Sequence, residues 1–213
     1  HIAPARNSLL FQNVRHFETA VNSLRAQYGC SIFITGSNAT LLSGELATLL
    51  SGRYVQFPLM PFTYREAYEW HLQQGNDPSV QFFQEYMKWG GFPQRFAFSD
   101  EKPIQAYLSD VYDSIVLKDI VARSSALDVD LLKRIMAFML DNTGRMLSVD
   151  SLSRFLKSEG RRSSLPTLYE YIKRISDSLV MNRILRFDIH GKQLLSFKGK
   201  YYAADTGLVH VMQ

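Results

Sequence analysis

One cysteine, Cys30, stands in 213 residues, and a single thiol cannot build the disulfide framework of a small secreted scaffold. Placed just before the apolar run Ile32-Phe33-Ile34, it reads as a buried core thiol in a reducing, cytoplasmic compartment. No stretch approaches the roughly 18 consecutive apolar residues that a membrane-spanning helix needs. The opening His1-Ile2-Ala3-Pro4-Ala5-Arg6 lacks the long apolar core of a signal peptide. The five histidines, His1, His16, His71, His190 and His210, show no metal-ligand spacing with acids or with the cysteine. No Gly-x-Ser-x-Gly elbow is present, which removes the hydrolases built on that turn. Repeats and low-complexity tracts are missing too, so the composition is that of an ordinary globular protein. The length suffices for one large domain or two small ones.

What charge there is sits unevenly. The net charge is +4, yet residues 1–100 balance seven Lys/Arg against seven Asp/Glu. Residues 101–213 hold seventeen basic side chains against thirteen acidic, and 145–200 alone holds twelve against five. A basic excess concentrated in one region points to a polyanionic partner, whereas a diffuse one would serve only solubility.

Hydrophobic periodicity divides the chain. Phe17, Val21, Leu24 and Tyr28 recur at helical spacing, which predicts a helix over about 16–28 ended by Gly29. Ser31-Ile32-Phe33-Ile34-Thr35-Gly36 reads as a buried strand of a parallel sheet. Ser37-Asn38 then caps a helix through Leu50, and Arg53-Tyr54-Val55-Gln56-Phe57 alternates like a second strand. Helix, strand, helix, strand is a fragment of an α/β layer. Beyond Pro61 the pattern turns helical. Thr63 and Glu66 form a capping box for a helix to about Gln74. A second helix runs to Trp89 and the break Gly90-Gly91-Phe92-Pro93. A long helix is expected from about Ile104 to Arg123, and another from Asp128 with Leu131, Leu132, Ile135, Met136, Met139 and Leu140 on its apolar face.

From Ser148 the rhythm is helix to Lys157, turn at Gly160-Arg161-Arg162-Ser163, and helix to about Ser178. Three β-like runs follow: Ile184 to Ile189, Gln193 to Phe197 and Lys200 to Ala204. That order predicts a winged helix, a helix-turn-helix variant with a β-hairpin wing. Arg161 and Arg162 would lie in the turn before the candidate recognition helix, Lys173 and Arg174 along it, and Lys192, Lys198 and Lys200 on the wing. The placement suits contacts to the phosphate backbone of duplex DNA. A plainer reading stands beside it, because winged helices also dock proteins and exposed Lys/Arg are usually just solvated. Tyr169 and Tyr171 read as core or boundary aromatics.

The segment from Ile32 to Arg53 (IFITGSNATLLSGELATLLSGR) resembles the stretch after the catalytic acidic motif in a family of prokaryotic AAA+-like P-loop ATPases. The resemblance continues through Pro61-Phe62-Thr63-Tyr64-Arg65-Glu66, Gly90-Gly91-Phe92-Pro93, Asp110-Val111-Tyr112 and Ile115-Val116-Leu117-Lys118-Asp119-Ile120-Val121. It closes on Lys200-Tyr201-Tyr202-Ala203-Ala204-Asp205-Thr206-Gly207-Leu208, and so spans nearly the whole chain. It implies an ATPase core joined to a helical region and a winged helix, a domain long catalogued as of unknown function. The fold expected is an α/β fragment of a P-loop core over 1–60, a helical lid-like region over 61–100, and a helical plus winged-helix domain over 101–213.

By the same resemblance Ser37 or Asn38 would sense the γ-phosphate, although either could simply cap the helix that follows. Arg53 would be a candidate arginine finger acting in its own subunit or in a neighbour's, as in a homo-oligomer; the plainer role is a surface or salt-bridged arginine. The phosphate loop Gly-x-x-x-x-Gly-Lys-Ser/Thr is missing: Gly191-Lys192 and Gly199-Lys200 are not followed by Ser or Thr. The acidic pair that holds Mg²⁺ is also missing, with Leu9 and Leu10 where it would fall. Truncation is the favoured explanation, loss of the site the other. ATP and Mg²⁺ are therefore expected cofactors of a complete parent protein and not of this chain alone. Two functions remain: an ATP-driven switch that repositions a winged helix on DNA or a protein partner, or a non-enzymatic DNA-binding or docking adaptor.

Overall fold

The computed structural model describes residues 17–28, 31–35, 54–76, 79–115, 120–121, 127–185 and 199–212. The chain divides into two compact units that join between Phe57 and Pro58. In the N-terminal unit helix α1 spans Phe17–Tyr28, as its periodicity requires, and buries Val21. The strands expected over 31–36 and 53–57 do not appear where these segments are described: residues 31–35 and 54–57 pair with no strand among the described residues. Their apolar side chains stand in solvent, with Phe33 82% exposed and Val55 and Phe57 each 75%. A strand leaves half its main-chain hydrogen bonding to its neighbours, so an apolar run without a pairing partner does not become one.

The C-terminal unit is mostly helical. Helix α2, Tyr64–Gln73, opens on the expected capping box: Thr63 Oγ accepts from Glu66 N–H at 3.3 Å, and Glu66 accepts from Thr63 N–H at 2.8 Å. Ser79 caps helix α3, Val80–Trp89, and Gly90 ends it at a φ of +72° that disfavours any other residue. A 3₁₀ turn over Pro93–Ala97 leads to helix α4, Glu101–Ser114. This helix starts three residues before the expected Ile104, with Asp100 in extended backbone at its N-cap position and Pro103 tolerated in a first turn whose amides have no intrahelical partner. The rest of the helix expected to reach Arg123 lies largely outside the described residues.

Helix α5, Val129–Asp141, buries Leu131, Leu132, Ile135, Met136, Met139 and Leu140, the stripe its sequence spacing prescribes. A two-residue strand β1, Met146–Leu147, leads into helix α6, Val149–Ser158, and a turn leads into helix α7, Leu165–Asp177. Ser164 caps α7 and Pro166 sits in its first turn, where its missing N–H costs nothing. Strands β2, Met181–Leu185, and β3, Gly199–Ala203, complete an antiparallel sheet of order β1-β3-β2. The register sets Met181 opposite Ala203, Leu185 opposite Gly199, and Met146 opposite Lys200. The expected run Gln193 to Phe197 lies outside the described residues, and β1 is too short to show a period in the sequence. Helix α8, Thr206–Val211, follows β3 directly.

One core cluster joins α5, α6, α7 and the sheet through Leu132, Ile135, Met136, Leu152, Leu168, Ile175, Met181 and Tyr201, with Leu208 of α8 added. A smaller cluster of Trp89, Ile104 and Leu108 packs with Phe92, Phe98 and Val211. It lies on both sides of residue 100, where the sequence suggests a boundary. Burying each of these large side chains contributes about 1.5–3 kcal/mol, which is what keeps helices of this length from fraying.

Candidate functional site

The basic residues of the α6–turn–α7 segment fall into two groups. Arg161, in the turn, is held by its own protein: one terminal nitrogen donates to Asp128 Oδ2 at 2.9 Å and the other to Asp130 Oδ2 at 2.5 Å. Arg134 joins them, donating from Nε to Asp130 at 2.9 Å and from a terminal nitrogen to Glu159. Two guanidinium groups thus face three carboxylates, and the cluster carries net negative charge. The amide of Leu131 and then Arg161 draw the Asp128 carboxyl below its ordinary value, while Arg134 and then Arg161 do the same for Asp130. Arg161 N–H also donates to Leu156 O at 2.8 Å, so this residue ties the turn to α6 and to the start of α5. Arg174 is likewise engaged, with Nε and a terminal nitrogen donating to Glu170 Oε1 at 3.1 and 2.7 Å.

Arg162, Lys173 and Lys200 are different. Each is exposed, with no side-chain partner among the described residues. Lys200 shares its sheet face with Met146 and Ile184, its partners in register. The exposed side of α7 also carries Leu165 and Tyr169, so that surface is partly apolar. Ser37, Asn38, Arg53, Lys192 and Lys198 lie outside the described residues.

A second constellation escaped the sequence reading although its pieces are in the quoted motifs. Asp205 is a buried carboxylate, only 6% exposed. Its Oδ1 accepts from Gly207 N–H at 2.8 Å, capping α8, and its Oδ2 accepts from Gly91 N–H at 2.6 Å. Burial pushes its carboxyl above the ordinary value; the amides of Gly91, Gly207 and Leu208 and the charge of Arg95 oppose that shift. Arg95 is itself buried, donates from Nε to Gly90 O at 2.9 Å and lies over the Phe96 ring at 4.0 Å. One of its terminal nitrogens has no hydrogen-bond partner among the described residues. Around this centre Phe62 N–H donates to Gly91 O at 2.8 Å, Tyr86 OH to Phe62 O at 2.8 Å, and Thr206 Oγ to Tyr86 O at 3.3 Å. The available signal was the cap pattern Asp205-Thr206-Gly207, but its partner amide lies 114 residues away.

Among the described residues no group of three or more His, Cys, Asp or Glu side chains is arranged to hold a metal. No helix there is long and apolar enough to cross a membrane.

Residues 11–68 match the AAA domain family. The chain is 37% identical over 200 residues to an uncharacterized protein of Haemophilus influenzae, covering 92% of this chain and 49% of that protein. It is 25% identical over 191 residues to an uncharacterized protein of Methanocaldococcus jannaschii, covering 86% of this chain and 43% of that protein. The chain therefore spans about half the length of these curated relatives or less. No solved structure matches it. Residues 80–213, more than half of the chain, match the family described as Domain of unknown function (DUF8612), and the chain belongs to that family.

Proposed function

We propose that this chain belongs to an ATP-driven switch, in which nucleotide state in an AAA-type unit controls a winged-helix module that contacts duplex DNA. The AAA match over residues 11–68, directly ahead of the family domain at 80–213, carries the reading. The order α5, β1, α6, turn, α7 and the antiparallel pair β2 and β3 supports a winged helix, with α7 as the helix offered to a groove. Among the described residues Arg162, Lys173 and Lys200 are cations in position to contact phosphates, since Arg161 and Arg174 already serve carboxylates, and Lys192 and Lys198 would add to them. Ser37 or Asn38 would sense the γ-phosphate and Arg53 would stabilise charge during phosphoryl transfer, with ATP and Mg²⁺ held by a phosphate loop and acidic pair absent from this sequence.

Fluorescence anisotropy of a labelled duplex across a salt titration tests the DNA contact. Arg162→Ala and Lys173→Ala should each flatten the salt slope by about one unit and weaken all duplex sequences alike. Arg161→Ala should change the slope far less, because its charge is already neutralised. Failure to bind DNA at low salt removes the reading. The competing docking adaptor draws on the exposed Leu165 and Tyr169 of α7, and it predicts no salt-dependent DNA binding at all.

A further inference from the structure

An N-cap needs one acceptor, and serine, threonine, asparagine or aspartate can supply it. Asp205 supplies two. Its oxygens receive N–H groups from separate parts of the C-terminal unit: Gly207, at the start of α8, and Gly91, in the elbow that follows α3. Asparagine could satisfy only one of these donors, because its amide nitrogen would face the other N–H. Serine and threonine likewise offer a single oxygen. Capping alone therefore does not account for a carboxylate here; the bridge to Gly91 does.

The elbow itself has the composition of a hinge. Gly90 and Gly91 are adjacent, Gly90 has a φ of +72°, and glycine pairs let a chain swing at little steric cost. In the folded protein these glycines lie so close to their neighbours that no β-carbon fits. A β-carbon on Gly90 would lie 1.8 Å from Asp205 Oδ1, one on Gly91 1.9 Å from Phe62 O, and one on Gly207 2.4 Å from Trp89 O. Trp89 stands edge-on to His210 of α8, with ring centroids 4.8 Å apart. Asp205 thus joins the Gly90–Gly91 elbow to the β3–α8 corner, while Phe62 reaches the elbow through its own N–H bond to Gly91 O.

We propose that Asp205 is the lock on a Gly90–Gly91 hinge, joining the α2–α3 hairpin to the β3–α8 corner so that the two move as one lever. The lock stands on this geometry alone and goes beyond the ATP and DNA reading, which it does not require.

Amide hydrogen exchange followed by mass spectrometry on the 213-residue chain tests the lock with Asp205→Asn, which keeps the size and one acceptor. Exchange over residues 86–97 and 199–212 should quicken at least tenfold, while α5 to α7 keep their wild-type rates. Unchanged exchange over 86–97 overturns the proposal, and so does an equal quickening throughout the unit, which would make Asp205 a general stability residue. Should Asp205→Asn fail to fold, wild-type exchange in low urea decides. Residues 86–97 and 199–212 should open together at the same denaturant concentration. Separate opening of the two segments overturns the lock.

Discussion

The N-terminal and C-terminal units start from equally apolar sequence, yet they use it differently. Ile32, Phe33, Val55 and Phe57 stand exposed on segments that pair with no strand among the described residues, whereas Leu132, Ile135, Leu152 and Leu168 are fully enclosed. The difference lies in where each element finds its hydrogen bonds. A helix satisfies its amides within four residues and needs only a neighbour for its apolar face; α5, α6 and α7 give one another that neighbour. A strand of a parallel sheet needs flanking strands as well as helices on both faces, and residues 31–35 and 54–57 have no strand beside them among the described residues.

Core truncation should break the comparison most sharply. Leu132→Ala, at the centre of the helical core, should cost about 2–5 kcal/mol in urea unfolding, because a buried side chain is removed and a cavity remains. A cost below about 1 kcal/mol would mean that this core is loosely packed. The Asp205 joint comes next. Asp205→Asn should cost about 1–3 kcal/mol at neutral pH, since a buried N–H loses its acceptor.

The pH dependence of that difference has a definite sign. Burial holds the folded Asp205 carboxyl above its ordinary value of 3.8, so the folded state takes up the proton first as pH falls. Wild-type stability relative to Asp205→Asn should therefore rise as pH is lowered through the folded pKa, and level off below the ordinary value. Asp128 and Asp130 act the other way. Their folded values are lowered, so their contribution is present above the ordinary value and is lost as pH falls through the folded one. Denaturant midpoints of wild type and variant at several pH values between neutrality and pH 3 separate the two trends. A difference that shrinks on acidification would show the Asp205 carboxylate to be favoured by its surroundings.

The smallest effect is expected in the N-terminal unit. Phe33→Ser should change stability by less than about 0.5 kcal/mol, because an 82% exposed ring has little packing to lose. A loss of 2 kcal/mol or more would place this ring inside a packed unit and erase the contrast between the two regions.

Legibility followed sequence distance. The Thr63–Glu66 capping box, the apolar stripe of α5, the turn between α6 and α7 and the glycine stop after α3 all read correctly, since each depends on residues three or four positions apart. The segments 31–35 and 54–57 show the limit of that method: an apolar run carries no information about whether a pairing strand is present. Strand β1 failed for another reason, as two residues cannot display alternation. Among the candidate DNA contacts, charge and position singled out Arg161 and Arg162 equally, but Arg161 is held by Asp128, 33 residues earlier.

The amino-acid sequence by itself determined the capping box that opens α2, the glycine stop after α3, the apolar stripe of α5, and that basic charge gathers beyond residue 145. These follow from local caps, glycine stops and a period of 3.6 residues, which operate within a turn or two of chain. Tertiary structure alone decided which of the described cations carry an ion pair, as Arg161 and Arg174 do, and that Asp205 joins the Gly90–Gly91 elbow to the start of α8. Both depend on segments brought together from far apart in the chain, where a side chain's partner is set by how helices and strands pack and not by its neighbours in sequence.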